Sequence, residues 1–355
     1  MLSVADINTL WRIKPFEALS RLCPVTGLSP RRWCGADPEC LASAAPSLPI
    51  ARIGLPPGWA SRLATLSAPR ILRRIRTLGS QGLFVTSPHY LPLVRLAVRE
   101  MPVYYYCSDD YSTYEGWGGT ALELAEAELI RHCRRSFFVS RVLAEKAIRK
   151  LGADPSRVSV SPNATSGEFL KRHRIADHPD ISTLLGPLRR PILGVIGAIN
   201  DRLDFDLLLA AANLREVGTL LLVGPVAEEI RTKTWNTLRE HPKCRITGGR
   251  PHSEIPVWMQ GIDVALIPYA KTPLNHACSP MRLFDHLASG KPIVAGTACD
   301  QLREYRDVVS CGDTPEAILN SLRAQCTQPA PPPAEEVHLS GLTWESRAQS
   351  IACLL

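Results

Sequence analysis

The fold of this chain is decided by residues Asn275–Ala295, which read NHACSPMRLFDHLASGKPIVA. Ser279 suits the N-cap of a helix, and Pro280 suits its first helical position, where a missing N–H group costs nothing. The helix has a wide apolar face at helical spacing: Met281, Leu283, Phe284, Leu287 and Ala288. Gly290 predicts the end of the helix, and the apolar residues 292–295 predict a buried strand behind it. A helix followed by such a strand is one unit of an α/β sheet.

The polar face of the same helix carries Arg282 and Asp285, which are three residues apart and therefore neighbours. Arg282 lies in the first turn, where the helix dipole disfavours a cation by about 0.3–1 kcal/mol. An anion bound at this N-terminus would reverse that cost, because backbone N–H groups and the guanidinium would converge on it. A solvated Arg–Asp pair that adds almost nothing to stability is the alternative. The residues alone leave both interpretations open.

These residues resemble the nucleotide-sugar motif of GT-B glycosyltransferases of the glycogen-synthase-like superfamily (glycosyl transferases group 1, family 4-like, of the bacterial polysaccharide type). That motif ends Glu-x-x-Ala-x-Gly-x-Pro-Val, and its places are taken here by Asp285, Ala288, Gly290, Pro292 and Ile293. The resemblance implies that Asp285 holds the ribose hydroxyls of a donor nucleotide. The residues that would face its diphosphate and sugar are Ser279, Pro280, Met281 and Arg282. The chain departs from the motif at Ala277, where the family has a second Glu that contacts the donor sugar.

Length and composition predict a globular protein of two domains. The chain has 355 residues, of which 45% are hydrophobic and 21% charged. Its net charge of +7 suits anionic partners such as nucleotides or phospholipid surfaces. Its 11 cysteines show no C-x-x-C or metal-binding spacing, so we predict neither a disulfide framework nor a metal site. The N-terminus lacks the pattern of a signal peptide and no run of about 18 apolar residues occurs, which predicts a cytoplasmic protein.

Strands alternate with helices through the first half of the chain, which predicts a parallel sheet. His89 follows the predicted strand 82–86, and Asp109 and Asp110 follow the predicted strand 103–106. Ligands of parallel sheets bind at the carboxyl ends of strands, so these side chains are catalytic candidates. Adjacent carboxylates suit a general base, but an aspartate pair is also ordinary turn chemistry, and a loop histidine is more often simply hydrogen-bonded. The segment VYYYCSDDYS resembles the Tyr-x-x-x-Asp-Asp stretch of bacterial polysaccharide glycosyltransferases, which favours the aspartates as base or acceptor-binding residues.

Residues 61–78, SRLATLSAPRILRRIRTL, predict a basic helix. Its arginines are Arg62, Arg70, Arg73, Arg74 and Arg76. Helices of this kind bind anionic membrane surfaces, but any solvated basic helix has the same pattern, and we favour the solvated helix. Peripheral membrane contact through the Arg62–Arg76 helix gains support if the acceptor is lipid-linked.

The second half repeats the alternation, beginning with the strand PILGVIG at residues 191–197. Gly197 would let a diphosphate approach the backbone, and Arg202 could reach it as a charge-assisted donor, although a plain surface arginine fits the pattern equally well. The segment Gly248–Arg250 resembles the family's loop beside the nucleobase, and DVALIPY at residues 263–269 resembles a family strand. The resemblance therefore implies donor contacts from Gly197, Arg202, Gly249 and Arg250.

Local signals set further expectations. Pro15 predicts the start of a helix that runs to Leu22, and residues 168–187 read as linker and loop. Another helix is predicted to end near His241, and QPAPPP at residues 328–333 reads as a stiff linker. The segment LTWESRA at residues 342–348 resembles the family's terminal helix, which packs back on the first domain.

Together these predictions describe an α/β protein of GT-B architecture, with two doubly wound Rossmann-like domains facing a cleft. The predicted parts are an acceptor-binding domain at 1–167, a linker at 168–190, a nucleotide-sugar-binding domain at 191–328, and a Pro-rich linker with a C-terminal helix at 329–355. The implied reaction is metal-independent transfer of a sugar from a nucleoside-diphosphate donor, the co-substrate, to a hydroxyl of a glycan or lipid-linked acceptor in surface polysaccharide or glycoconjugate biosynthesis. Neither a cofactor nor nucleic acid is expected. A non-catalytic nucleotide-binding relative and a nucleotide-sugar epimerase of the same fold are the alternatives.

Overall fold

The structure is a computed structural model that describes residues 1–5, 10–32, 47–56, 63–114, 116, 119–328 and 339–355. The chain divides into two compact units. The N-terminal unit comprises residues 1–163 together with 277–279 and 344–355, and the C-terminal unit comprises residues 164–276 and 280–343. Each unit contains its own parallel sheet, as the alternation of strands and helices predicts.

In the N-terminal unit, the described strands form a seven-stranded parallel sheet in the order β3-β2-β1-β4-β5-β6-β7. The strands are β1 (Leu2–Ala5), β2 (Val25–Arg32), β3 (Ile50–Leu55), β4 (Gly82–Val85), β5 (Val103–Cys107), β6 (Arg135–Phe138) and β7 (Val158–Val160). β1 lies inside the sheet between β2 and β4, where Leu2 pairs with both Val25 and Gly82. β4 and β5 are buried on both faces, because helices cover both sides of a parallel sheet, and this explains their nearly continuous apolar sequences.

The helices described between these strands are α1 (Leu10–Ser20), α2 (Ala64–Thr77), α3 (Leu91–Ala97), α4 (Gly119–His132) and α5 (Arg141–Arg149). The predicted start of α1 at Pro15 is wrong, since the helix begins at Leu10 and contains Pro15. An internal proline removes one backbone hydrogen bond, but its fixed φ is helical, so α1 continues through it. α2 is the predicted basic helix; Arg62 lies outside the described residues.

In the C-terminal unit, the described strands form a six-stranded parallel sheet in the order β10-β9-β8-β11-β12-β13. The strands are β8 (Ile192–Ile196), β9 (Thr219–Val223), β10 (Cys244–Ile246), β11 (Val264–Ile267), β12 (Ile293–Gly296) and β13 (Val309–Gly312). The winding reverses between the neighbours β8 and β11, where Leu193 pairs with Val264. Such a switch point opens a ligand crevice at the carboxyl ends of the two strands. The predicted doubly wound α/β fold is confirmed.

The helices described in the C-terminal unit are α6 (Pro179–Leu185), α7 (Phe205–Asn213), α8 (Lys233–Arg239), α9 (Ile255–Gly261), α10 (Pro273–Ala277), α11 (Met281–Ser289) and α12 (Pro315–Thr327). Residues 168–187 are not merely linker and loop, because Pro179 at the first helical position and Asp180 in the first turn start α6. α8 ends at Arg239 rather than near His241, because Pro242 disfavours the helical conformation at the residue before it.

The C-terminal helix, α13 (Trp344–Ala352), belongs to the N-terminal unit. It buries Trp344, Ala348 and Ile351, which recur at helical spacing on one face. This face packs on α1, and the Tyr104 hydroxyl donates a hydrogen bond of 3.0 Å to the Leu355 carbonyl. The predicted linker segment 329–338 lies outside the described residues.

Across the described ranges, none of the helices combines the length and the apolar composition needed to cross a membrane. In the same ranges, no three His, Cys, Asp or Glu side chains are grouped so that they could hold a metal ion.

Candidate functional site

Three of the predicted donor residues, Gly197, Arg202 and Arg282, meet at the carboxyl ends of β8 and β11. Gly197 follows β8 directly, and Tyr269 lies just beyond the end of β11. α11, which carries Arg282 and Asp285, follows β11 after the short helix α10. This point is the switch point of the sheet, which is where doubly wound proteins bind ligands.

The N-terminus of α11 starts one residue later than predicted. Pro280 is the N-cap, with extended backbone (φ −75°, ψ 114°), and Met281 is the first helical residue. The predicted capping role of Ser279 is wrong, because its hydroxyl accepts a hydrogen bond of 2.9 Å from the backbone N–H of Asn163. The Leu283 N–H donates a hydrogen bond of 3.1 Å to the Pro280 carbonyl. Pro280 has no side-chain acceptor for the N–H groups before it, so within the described residues the start of α11 keeps a capacity to bind an anion. Gly290 ends the helix in the left-handed conformation (φ +68°), as predicted.

Arg282 holds its guanidinium against the backbone that follows β8. Its Nη2 donates a hydrogen bond of 3.0 Å to the carbonyl of Ala198. Gly197 has φ +119°, a backbone conformation that favours glycine, and a Cβ atom there would lie 3.0 Å from Nη2, so glycine leaves room for this close approach. Nη1 is buried and has no hydrogen-bond partner among the described residues. An unpaired buried donor costs about 1–3 kcal/mol, and a bound anion would remove that cost.

A second guanidinium lies at the ring of Tyr269. The guanidinium carbons of Arg282 and Arg202 are 5.3 Å and 5.6 Å from the centroid of that ring. Arg202 Nε donates to Oδ1 of Asn275 at 2.8 Å, and the Asn275 amide donates back to the Arg202 carbonyl at 2.9 Å. Asn275 is fully buried, so its Oδ1 gives the side chain of Arg202 a fixed partner. Arg202 and Arg282, the arginine pair, form a cationic cluster beside one aromatic ring.

Asp285 projects from α11 and is only 9% exposed. Its Oδ1 accepts a hydrogen bond of 2.8 Å from the hydroxyl of Thr165. Arg282 is bonded to Ala198 instead. The polar face of α11 is therefore not the solvated Arg–Asp pair that the sequence left open, because each of its two charged side chains has a separate partner in the C-terminal unit.

Gly249 and Arg250 follow β10 on the same edge of the sheet. Gly249 is exposed, and a Cβ atom there would come no closer than 3.7 Å to Pro225. The Arg250 guanidinium carbon lies 5.3 Å from the centroid of the Trp258 ring, which is fully buried. Arg250 Nε is also buried and has no partner within the described residues. This edge of the sheet therefore has an accessible backbone at Gly249 beside the positive charge of Arg250, which lies against the Trp258 ring.

A cavity of about 640 Å³ opens in the C-terminal unit beside Tyr269. Carboxylates dominate its charged wall: Asp201, Asp204, Asp206, Glu229 and Asp313, against the cations Arg231 and Lys271. An excess of negative charges in the wall of a partly enclosed space repels a diphosphate. The arginine pair is therefore a better diphosphate site than this cavity.

In the N-terminal unit, Asp109 and Asp110 follow β5 and are both buried. Oδ1 of Asp110 lies 2.7 Å from Nζ of Lys146 and also accepts a hydrogen bond of 2.7 Å from Ser112. Asp109 accepts a hydrogen bond of 2.6 Å from the hydroxyl of Tyr114. The ion pair with Lys146 favours a positioning role for Asp110.

His89 follows β4 and is half-buried. Its Nδ1 lies 3.0 Å from the hydroxyl oxygen of Ser87. Burial lowers the pKa of His89, and the positive charge of Arg12 lowers it further. The imidazole is therefore neutral at pH 7 and can accept a proton.

Three residues of these sites were missed by sequence reasoning. Glu126 on α4 is buried and accepts a hydrogen bond of 2.7 Å from the Tyr105 hydroxyl, and burial raises the pKa of its carboxyl group. Asn275 and Thr165 fix Arg202 and Asp285. Their partners lie 73 and 120 residues away along the chain, so no local pattern could have found them.

Two doubly wound parallel units in one chain, with a cationic cluster at the switch point of the second, make this a protein of the GT-B fold. Residues 17–164 match the family model of the glycosyl transferase 4-like domain. TuaH of Bacillus subtilis (strain 168), a protein named as a teichuronic acid biosynthesis glycosyltransferase, is 33% identical over 173 residues. That match covers 49% of this chain and 43% of TuaH, so the chain spans less than half of this relative's length.

Solved structures share the fold over nearly the whole chain. Anabaena Alr3699/HepE in complex with UDP and glucose has a TM-score of 0.74 at 15% identity, covering 99% of this chain and 98% of that one. Sucrose-phosphate synthase of Thermosynechococcus elongatus has a TM-score of 0.72 at 14% identity, covering 99% and 97%. The GT-B fold that the sequence indicates is confirmed.

Proposed function

We propose that this chain is a glycosyltransferase that moves a sugar from a nucleoside-diphosphate donor to a hydroxyl acceptor in surface polysaccharide or glycoconjugate biosynthesis. The observation that carries the proposal is the arginine pair at the carboxyl ends of β8 and β11, with the buried Nη1 of Arg282 lacking a partner among the described residues. A diphosphate would supply the missing acceptor and balance both positive charges. The family of residues 17–164 and the name of TuaH support the same assignment.

The donor would lie along the carboxyl edge of the C-terminal sheet. Its diphosphate would contact the backbone of Gly197, the arginine pair and the segment Ser279–Arg282, which leads into the first turn of α11. Its ribose hydroxyls would bind Asp285, and its base would lie near Gly249 and Arg250. UDP is the first candidate for the nucleotide, because HepE was solved with UDP.

The reaction breaks the bond between the anomeric carbon and the diphosphate and forms a bond from that carbon to the acceptor oxygen. The diphosphate leaves with additional negative charge, which the arginine pair and the first-turn N–H groups of α11 would stabilise without a metal. The acceptor would bind the N-terminal unit near Asp109, Asp110 and His89. If the configuration inverts, Asp109 or Asp110 takes the acceptor proton; if it is retained, these carboxylates bind the acceptor and no protein base is needed.

Binding of the donor nucleotide can be tested by thermal unfolding with UDP, GDP, dTDP, CMP and ADP. We expect one nucleoside diphosphate at 100 times its Kd to stabilise the wild type by about 2.7 kcal/mol. The Asp285→Ala variant loses the ribose contact, and a tenfold loss of affinity would reduce this gain to about 1.4 kcal/mol.

The matched control is Asp201→Ala, which removes an exposed carboxylate from the acidic cavity of the same unit. It should respond to nucleotide as the wild type does. Silence of the folded wild type across the whole panel would contradict the glycosyltransferase assignment and favour a relative that has lost donor binding.

We further propose that the protein is cytoplasmic and touches an anionic membrane surface through α2, where a lipid-linked acceptor would be found. The apolar face of α2 is buried within the protein, since Ile71, Leu72 and Ile75 are buried. Insertion of that face into lipid is therefore unavailable, and the contact would be electrostatic, through the exposed Arg73 and Arg74. Leu66, on the exposed side of the same helix, is 75% exposed.

Vesicle binding tests this contact. Replacing Arg73 and Arg74 together by glutamine should weaken binding to vesicles containing anionic lipid about 30-fold, because each basic residue near such a surface contributes about 1 kcal/mol. The control is the double replacement of Arg239 and Arg245 by glutamine, which makes the same charge change at exposed positions of the C-terminal unit. Equal losses in both double variants would mean that only net charge matters, and that α2 is not the contact.

A further inference from the structure

We propose that Thr165 is the positioning residue for Asp285 and so sets the selectivity of the donor site for nucleotides with free ribose hydroxyls. This inference rests on the proposed function, since it assigns Asp285 to the ribose. The local sequence around Thr165 does not predict this role. Its assignment comes from the 2.8 Å hydrogen bond that its hydroxyl donates to Oδ1 of Asp285, both groups being buried.

Thr165 is held rigidly enough to position a partner. It is 0% exposed. Its backbone N–H donates a hydrogen bond of 2.9 Å to the carbonyl of Leu342, and it forms an isolated parallel bridge with Thr343. A β-branched side chain has few rotamers, so a fixed backbone also fixes the hydroxyl. The direction of the Thr165 O–H group is therefore set by the C-terminal unit and not by solvent.

The chemistry of the bond makes it directional. A threonine hydroxyl has one proton to donate, and here it goes to a carboxylate, which makes a charge-assisted bond stronger than a neutral one. Engaging Oδ1 fixes the rotation of the carboxylate about its last side-chain bond. Two ribose hydroxyls can be bound by one carboxylate only in a narrow range of such rotations. A fixed carboxylate thus meets the donor without an ordering cost.

This arrangement also accounts for aspartate in place of the longer glutamate. Asp285 has one methylene fewer than the glutamate of the motif it resembles, so it reaches less far and samples fewer positions. Because Asp285 is only 9% exposed, a carboxylate that turned away from the donor would have little solvent to face. The hydrogen bond from Thr165 keeps it turned to one orientation.

The test compares Thr165→Val, which keeps the shape and removes the hydroxyl, with Thr165→Ser, which keeps the hydroxyl. The probes are the nucleoside diphosphate that stabilises the wild type most and its 2′,3′-dideoxy form. We expect Thr165→Val to bind the ribonucleotide about tenfold more weakly and the dideoxy form as the wild type does. Thr165→Ser should recover wild-type affinity for both. In turnover, Thr165→Val should raise KM for the donor and leave kcat unchanged, since the ribose contact is the same in the ground and transition states.

Thr219→Val is the matched control. Thr219, the first residue of β9, is also a buried threonine of the C-terminal unit. Its hydroxyl donates a hydrogen bond of 2.8 Å to the carbonyl of Arg189. It should bind both probes normally. Wild-type binding of the ribonucleotide by Thr165→Val, or an equal loss for the ribonucleotide and the dideoxy form, overturns the positioning role while leaving the donor site intact. Failure of the wild type to bind any nucleotide overturns the proposed function itself.

Discussion

Replacing Arg282 by methionine should lower kcat/KM for sugar transfer by about 10²–10³-fold, which corresponds to about 2.7–4 kcal/mol of transition-state stabilisation. The guanidinium lies against the backbone after β8, with Nη2 bonded to Ala198 and Nη1 buried without a partner in the described ranges. As the diphosphate leaves, its growing charge meets these donors directly. Methionine matches the length of the arginine stem but offers no donor and no charge.

The same variant should fold at least as stably as the wild type. In the unliganded protein, Arg282 is a cation in the first turn of α11, which costs about 0.3–1 kcal/mol, and it carries an unpaired buried donor. Activity lost together with stability retained is the signature of a residue kept for its ligand and not for the fold. The activity of Arg282→Lys should lie between that of the wild type and that of Arg282→Met, since lysine keeps the charge and loses the planar pair of donors.

Arg323→Met is the matched control, because Arg323 is an exposed arginine of the same unit whose guanidinium donates a hydrogen bond of 2.6 Å to Oδ1 of Asn320. It should keep wild-type activity. An Arg282→Met enzyme within threefold of the wild type would show that the arginine pair does not meet the diphosphate. Activity and unfolding would be measured on the same preparations.

The second large effect concerns acid stability. His286 on α11 is fully buried, and neither ring nitrogen has a hydrogen-bond partner in the described part of the chain. Burial lowers the pKa of His286 from 6.5 to about 3, and the charge of Arg282 adds to this. Below pH 6.5, therefore, His286 is protonated in the unfolded chain but remains neutral in the folded protein. Folding stability falls as the pH falls from about 6.5 towards 3, by about 1.4 kcal/mol per unit.

His286→Leu should remove this dependence. Between pH 7.5 and pH 4.5 the wild type should lose about 2.7 kcal/mol through His286 that the variant keeps. The variant should also be no less stable at pH 7.5, because leucine is of similar size and leaves no unsatisfied nitrogen. Denaturant unfolding at pH 7.5 and pH 4.5 measures both effects.

The control for this experiment is Leu283→Ala, a core truncation on the same helix. Leu283 is fully buried and cannot titrate, so its variant should be destabilised by the same amount at both pH values. If His286→Leu and the wild type lost stability in parallel on acidification, the imidazole would have to be hydrogen-bonded or solvated in the folded protein.

Local sequence signals predicted the strands and helices well where apolar runs and turn residues agree. The helix of the opening stretch ends at Gly290 because glycine accepts the left-handed conformation, and that requirement can be read from the sequence. Ser279 was misjudged as a cap because its hydroxyl is taken by Asn163, which is 116 residues away in the chain. α6 was missed because a short helix with a proline at its start resembles a loop in composition.

The charges of the site could be predicted, but their arrangement could not. Arg282 and Asp285 are visible as neighbours on one helix face, yet their actual partners, Ala198 and Thr165, come from other parts of the chain. Likewise, the fully buried His286 looks like any polar residue of an amphipathic helix until its surroundings are known. Tertiary contacts decide which polar groups have hydrogen-bond partners, and the spacing of residues along the chain does not predict those contacts.

The central claim is most directly tested by sugar transfer itself. A radiolabelled nucleotide sugar, carrying the nucleotide that stabilises the protein most, would be incubated with the wild type with and without a lipid-linked glycan acceptor. Our account predicts acceptor-dependent release of one nucleoside diphosphate for each sugar added to the acceptor, and a 10²–10³-fold slower rate in Arg282→Met. Release of nucleotide and free sugar at the same rate without acceptor would contradict it and indicate a hydrolysing epimerase. Tight nucleotide binding with no turnover would also contradict it and indicate a non-catalytic relative.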